Sequence, residues 1–189
     1  MGMPALDRAR RWTRDEVLAL PDDGNRYELV DGELLVSPRP RWVHQHAVGG
    51  FWRIIDDYVK LHRIGDALFS PADLDLRSGQ VLQPDIFVVD RVDGRRAREW
   101  TEVGIPRLVV EVLSPTHPEF DRVKKRRRYQ KSGVSTYWIV DLDARHVEVW
   151  TPQAKRAEII TDTLTWRPEP HLPAFRLDLI AFFKAVHDE

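Results

Sequence analysis

Apolar and polar residues alternate along this chain so as to predict short extended pieces between a few helical stretches. Thr13-Arg14-Asp15-Glu16 has the form of a capping box. Its Thr hydroxyl and Glu carboxylate can cover the orphan amides of a short helix reaching about Leu20. Pro21 to Asn25 reads as a loop. Tyr27 to Val30 and Glu33 to Val36 flank Asp31-Gly32, a hairpin signal, because Gly accepts the positive φ of a type I′ turn. Ser37-Pro38-Arg39-Pro40 then breaks the chain. From about Trp42 to His62, the residues Val48, Phe51, Ile55, Tyr58, Val59 and His62 recur at helical spacing and define a buried face. His44 lies four residues before Val48, on that face. Gly49-Gly50 inside this helix costs ~1 kcal/mol each against Ala, which predicts close approach of another element.

Three extended pieces follow, Ala67 to Ser70, Asp73 to Arg77 and Ile86 to Asp90. In the middle one, Asp73 and Asp75 share one face and Leu74 and Leu76 the other. Arg91 to Pro106 is a polar loop. Leu108 to Leu113 reads as a fully buried strand, apolar except for Glu111 and stopped by Ser114-Pro115. A basic helix from about Glu119 to Lys131 ends at Ser132-Gly133, a C-cap. Thr136 to Val140 is a buried strand that forms a hairpin with His146 to Trp150. Residues 155 to 175 read as irregular with an edge strand near Glu158 to Ile160, and Leu177 to His187 as an apolar closing helix. With no internal repeat and no linker, residues 1–189 read as a single domain of α/β class, an α+β mixed sheet with helices on its faces.

Composition narrows the chemistry. The net charge of −1 provides no global basic field, so a nucleic-acid footprint must be local. The absence of cysteine excludes disulfides, thiolate zinc sites and cysteine nucleophiles. Met1 to Trp12 has four charged residues and no apolar run, unlike a signal peptide, and no apolar stretch approaches the ~20 residues of a membrane span. The expectation is a soluble cytoplasmic protein.

Two acids stand out against apolar strands. Asp85 follows Gln83-Pro84 at the mouth of Ile86 to Val89, and Glu111 sits in the middle of its strand. A buried carboxylate needs a cation or a set of donors. Carboxylates held on strands can bind Mg²⁺ or Mn²⁺ against a phosphodiester, with oxygens within roughly 3 to 5 Å of each other. A lysine nearby can position the attacking water and stabilise developing charge. Lys125, fourteen residues past Glu111, shares a helix face with Asp121 and Tyr129. The structural alternatives are that Asp85 caps a turn, that Glu111 pairs with a lysine, and that the run Lys124 to Arg128 is a solvated face or makes weak phosphate contacts. His44 reads as a satisfied core histidine or, because its helix face packs on the sheet with the acids, as a neighbour of the site. Asp73 or Asp75 is a candidate third acid.

At these residues the chain resembles the Uma2 restriction-endonuclease family, a branch of the PD-(D/E)xK nuclease-like superfamily. The matching pieces are Arg26 to Leu34, His44, Gln83-Pro84-Asp85, Leu108 to Pro115, Asp121-Arg122 with Lys125 and Tyr129, and Gly133-Val134 followed by Tyr137 to Asp141. Their joint order is specific, though each alone is weak. The resemblance implies a restriction-endonuclease-like core with an added N-terminal helix and hairpin and a C-terminal helix. It also implies that Asp85 and Glu111 are metal-binding acids. The superfamily's lysine two residues after the glutamate is Leu113 here, and the resemblance places a substitute on the next helix, which fits Lys125. Glu28 matches an acid of the family's first strand and is a further ligand or base. His44, Asp73 and Tyr129 are candidates to support these groups from behind. The expected activity is Mg²⁺- or Mn²⁺-dependent hydrolysis of DNA, with DNA as partner, no membrane, and a homodimer left open. The rivals are a non-catalytic member that binds nucleic acid or protein, and a hydrolase acting on another phosphoester.

Overall fold

The computed structural model describes residues 10–37, 40–76, 79–113 and 118–189. The expected breaks at Pro38-Arg39 and Ser114 to His117, the end of an extended piece at Arg77, and Met1 to Ala9 lie outside those residues.

The capping box forms: Thr13 Oγ1 accepts from Glu16 N, Thr13 N donates to Glu16 Oε2, and helix α1 runs Arg14–Leu18. Strands β1 (Arg26–Val30) and β2 (Glu33–Ser37) pair as the expected hairpin. Asp31 and Gly32 both have positive φ, as a type I′ turn requires. Helix α2 spans Trp42–Leu61 and buries Val48, Phe51, Ile55 and Val59.

The central sheet has six strands in the order β3 (Asp66–Phe69), β4 (Ile86–Val89), β5 (Leu108–Val112), β6 (Thr136–Asp141), β7 (His146–Trp150) and β8 (Glu158–Ile160). Only β5 and β6 run parallel among these neighbours. A parallel pair needs a crossover, and here the helix after β5 supplies it. Alternation along the strands splits the core. Ile86, Val88, Val110 and Trp138 face α2 and the C-terminal elements, while Phe87, Val89, Val109 and Ile139 face the crossover helix and the hairpin side.

Two expectations need correction. Residues 155 to 175 hold the expected edge strand, β8, but also β9 (Thr163–Trp166), which pairs antiparallel with β10 (Phe175–Asp178), and both feed the α2-side core. Helix α4 therefore starts at Leu179, capped by Asp178 on Ala181 N, and reaches His187. Of the described residues, Asp73 to Leu76 is not a ladder strand: its backbone pairs at an isolated bridge, Leu74 with Leu82. The alternation there still holds, with Leu74 and Leu76 buried and Asp75 exposed.

The glycines in α2 are also less constrained than their pairing implies. A Cβ on Gly50 would make ordinary contact with Phe182 at 3.4 Å, and one on Gly49 would meet nothing within 4 Å among the described residues. The tight approach is at Gly65, where a Cβ would collide with the backbone carbonyl of Val89. No helix among the described residues is long and apolar enough to cross a membrane.

Candidate functional site

The site forms where the C-terminal end of β5 meets the entry to β4. The β4–β5 register pairs Ile86 with Val110 and Phe87 with Val109, so one step further sets Asp85 opposite Glu111. Directly opposed residues of an antiparallel pair hold their Cβ atoms about 5 Å apart. Asp85 has left the ladder there, and its Oδ2 accepts the Val112 amide at 2.8 Å instead. Glu111, with Val109, faces the crossover helix.

That helix continues from Pro118 to Ser132 and is not uniform. Phe120–Lys125 forms a π-turn in which Arg126 N donates to Asp121 O, five residues back, and Arg126–Ser132 (α3) is α-helical. The Tyr137 hydroxyl donates to the same carbonyl at 3.2 Å. A step of four residues in an α-helix overshoots one turn by about 40°, and a wider turn undershoots it. Over Asp121, Lys125 and Tyr129 the two deviations oppose, so all three stay on the buried face. The basic run thus divides by face. Lys125 is buried, while Lys124, Arg127 and Lys131 are half-buried or exposed.

Lys125 is the hub. Its Nζ lies 2.9 Å from Glu28 Oε2, 3.1 Å from Glu111 Oε1 and 3.2 Å from Asp121 Oδ1, with 1% of its side chain exposed. The Glu111 contact has hydrogen-bond geometry, while Glu28 Oε2 and Asp121 Oδ1 sit against the ammonium as ion pairs. Burial alone would lower its pKa, but Glu111, Glu28 and Asp121 outweigh it and raise it. Tyr129 Oη donates to Glu111 Oε1 at 3.0 Å. Glu28 shares a β1 face with Arg26 and Val30, and its Oε1 accepts from Gln83 N at 2.8 Å.

Asp85 takes a different set of partners. Its Oδ1 accepts from Arg26 Nη1 at 2.8 Å. His44 Nε2 stands 3.3 Å from Oδ2 and 3.0 Å from Val112 O. Both neighbours of Nε2 are acceptors, which assigns it the proton, and Nδ1 is buried with no hydrogen-bond partner among the described residues.

The two strand acids diverge in proton affinity. Burial pushes both up. At Asp85, however, the charge of Arg26 and the hydrogen bond from His44 prevail and hold it well below the usual carboxylate range. At Glu111, Lys125 opposes burial, but Asp85, Asp121 and Glu28 add to it, and the carboxyl stays well above that range. Asp121 is also raised, chiefly by burial. Environments that drive neighbouring acids apart in this way are common at functional sites.

Asp85, Asp121 and Lys125 open onto a cleft of about 720 Å³, lined also by Arg26, His44 and Arg41. Glu28 and Glu111 lie behind it. Of the sequence candidates, Asp85, Glu111, Lys125, Glu28, His44 and Tyr129 come together. Asp73 does not join them directly: its Oδ1 accepts from Gln83 Nε2 at 2.6 Å, one residue removed from Glu28. Asp75 turns outward near Arg14. Two members escaped the sequence reading of the site, Arg26 and Asp121. Strand spacing from Glu28 and helix spacing from Lys125 were the available signals.

The sequence matches the Uma2 family, described as "Putative restriction endonuclease", over residues 14–180. No curated protein matches it. Among solved structures, one described as "a putative nuclease belonging to DUF820 from Anabaena variabilis ATCC 29413" shares the fold, with a TM-score of 0.75 at 22% identity. The match covers 93% of this chain and 99% of that one.

Proposed function

The chain belongs to the Uma2 family, and from that membership and the site geometry we propose that it is a divalent-metal-dependent endonuclease hydrolysing phosphodiester bonds of DNA. The observation that carries the reading is the Lys125 ammonium, buried among Glu28, Glu111 and Asp121 behind a cleft that Asp85 also lines. Ion clusters of this kind are a poor way to gain stability, because desolvation offsets much of the attraction.

The donor set supports Mg²⁺ or Mn²⁺. It consists of carboxylate oxygens with one imidazole, the chemistry of hard divalent ions. Four carboxylates stand against two protein cations, Arg26 and Lys125, so acids outnumber the positive groups where an ion would sit. Among the described residues no three His, Asp or Glu groups form a metal cage. Mg²⁺ does not need one, since it keeps several waters and takes one or two carboxylates. Asp85 and Glu111 would hold it, and bound there it would polarise the scissile phosphoryl group and lower the pKa of its water. Lys125 positions the attacking water and stabilises the growing negative charge by exchanging its longest contact, Asp121, for an oxygen in the cleft. Tyr129 orients Glu111, and His44 with the Val112 amide orients Asp85. Glu28 anchors Lys125 or serves as base.

The cleft lining qualifies how DNA would bind. Arg26, Arg41 and Lys125 are balanced by Asp22, Asp85 and Asp121. A phosphate backbone finds no basic groove there, so the ion itself must supply much of the attraction. One observation favours a second reading, a non-catalytic binding member: Asp85, Glu111, Glu28 and Asp121 are all closed onto protein cations.

The test is incubation of plasmid and linear DNA with Mg²⁺, Mn²⁺ or EDTA, using wild type, Asp85→Asn and Lys125→Met. The expected result is nicking or cleavage with either ion, lost in EDTA and in both variants. Metal-independent DNA binding without cleavage would establish the second reading instead.

A further inference from the structure

Only one oxygen of Asp85 is contested. Oδ2 serves the Val112 amide and His44, which a metal ligand can keep. Oδ1 is occupied by Arg26 Nη1 at 2.8 Å, and Arg26 Nε stands 3.5 Å from Glu28 Oε2. The guanidinium therefore bridges an acid of β1 and the acid before β4. It differs from Lys125 in access: 26% of the Arg26 side chain is exposed, against 1% for Lys125. Both residues line the cleft, but the Lys125 ammonium is held among Glu28, Glu111 and Asp121, whereas the Arg26 guanidinium has exposed surface along which to swing away from Asp85. A guanidinium stays charged and has donors only, so at Oδ1 it takes a lone pair that a divalent cation would use and repels that cation.

Resting on the function proposed above, we infer that Arg26 is a displaceable counter-ion that competes with the divalent cation for Asp85 and holds the metal-free site together. Asp85 then has one positive partner at Oδ1 at a time. In the absence of an ion, Arg26 keeps a buried carboxylate from standing unpaired. When the ion binds, that contact is given up and the guanidinium is freed on the cleft side, where its planar fork suits a phosphate. The exchange lowers the apparent affinity for the ion, because the Arg26–Asp85 bond must break first. It also explains why an arginine is built against a proposed metal ligand at a solvent-accessible position.

The experiment is calorimetric titration of Mn²⁺ into wild type, Arg26→Met, Arg26→Lys and Arg41→Met, with a metal-free thermal melt of each to confirm folding. Arg26→Met should bind Mn²⁺ roughly tenfold more tightly, the equivalent of one charge-assisted hydrogen bond removed from the competition. Arg26→Lys, whose single ammonium cannot span both acids, should move the same way by less, and it provides the reading if Arg26→Met does not fold. Arg41 lines the same cleft and is exposed, so its charge is screened and its loss should change little. Unchanged or weaker binding in the Arg26 variants overturns the inference, and so does an equal gain in Arg41→Met, which would mark a general field effect. Absence of Mn²⁺ binding in every protein is a separate outcome: it removes the nuclease reading, and this inference with it.

Discussion

Replacing Lys125 with Met tests the hub of the site through stability alone. Methionine keeps the length and apolar stem of lysine and removes the charge shared by Glu28, Glu111 and Asp121. Truncating one partner of a buried ion pair costs about 3–5 kcal/mol. Three stranded carboxylates would exceed that if all stayed ionised. Glu111 and Asp121 already hold protons more tightly than usual, so part of the cost is relieved by proton uptake. The lower end, about 3 kcal/mol, is the expected loss at pH 7. At roughly 2–4 °C per kcal/mol for a domain of this size, the melting temperature should fall by about 6–12 °C. At pH 5 the deficit should shrink, because the acids neutralise themselves. Adding Glu111→Gln to Lys125→Met should recover part of the loss, with a coupling on the order of 1–3 kcal/mol for groups in contact. The assay is circular dichroism melting in EDTA at both pH values. A loss below about 1 kcal/mol that does not vary with pH would mean that the ammonium is not the counter-ion of these acids, and the reasoning about the hub would fail.

Three other outcomes follow from the same geometry. Glu111 has a raised folded-state pKa, so its contribution to stability is fully present below its ordinary value of 4.5 and is lost as pH rises through the raised value; metal-free wild type should therefore gain stability on acidification through that window, and Glu111→Gln should flatten the gain in pH-dependent urea melts. Gly65→Ala should destabilise by about 1–3 kcal/mol through the collision with Val89, whereas Gly49→Ala, with open space on an exposed helix face, should stabilise by up to ~1 kcal/mol; parallel thermal melts read both signs. A hundredfold excess of Mn²⁺ over Kd should add ~2.7 kcal/mol to wild type, or roughly 5–10 °C, and Asp85→Asn should abolish the shift; an equal shift in both proteins would put the ion elsewhere.

Much of the site was readable because strands and helices repeat with known periods. The period of two places Arg26 with Glu28, and the helical period places Asp121, Lys125 and Tyr129 together. Buried apolar strands interrupted by Asp85 and Glu111 announced that those acids had partners. What the pattern could not show was which partner goes with which acid. Lys125 answers to Glu28, Glu111 and Asp121, and Arg26 answers to Asp85, an assignment set by how β1 lies over the sheet end. The π-turn was also hidden, because nothing in Phe120 to Lys125 breaks a helix. It is held by tertiary contacts, including the Tyr137 hydroxyl on Asp121 O. Strands β9 and β10 were missed for a related reason: they are short, and their apolar residues are drawn into the core of a helix distant in sequence. Gly65 gave no signal, since its constraint comes from the backbone of β4 rather than from its own φ.

The placement of the cations explains how such a cluster of acids can be buried. Like charges at one site oppose each other, and burial removes the solvent that would screen them. The fold answers with cations of unequal exposure. Lys125, carried on the π-turn and without exposure, is a permanent part of the core. Arg26, on a hairpin strand and open to the cleft, is not. If both were locked, the acids would be fully matched and a divalent ion would have no carboxylate to gain. If both were mobile, the metal-free protein would bury several unpaired carboxylates, each costing several kcal/mol. On the proposed function, one fixed and one releasable cation would give a metal-free state that folds and a site open to an ion. This division of roles requires Lys125→Met to act mainly on stability and Arg26→Met mainly on Mn²⁺ affinity.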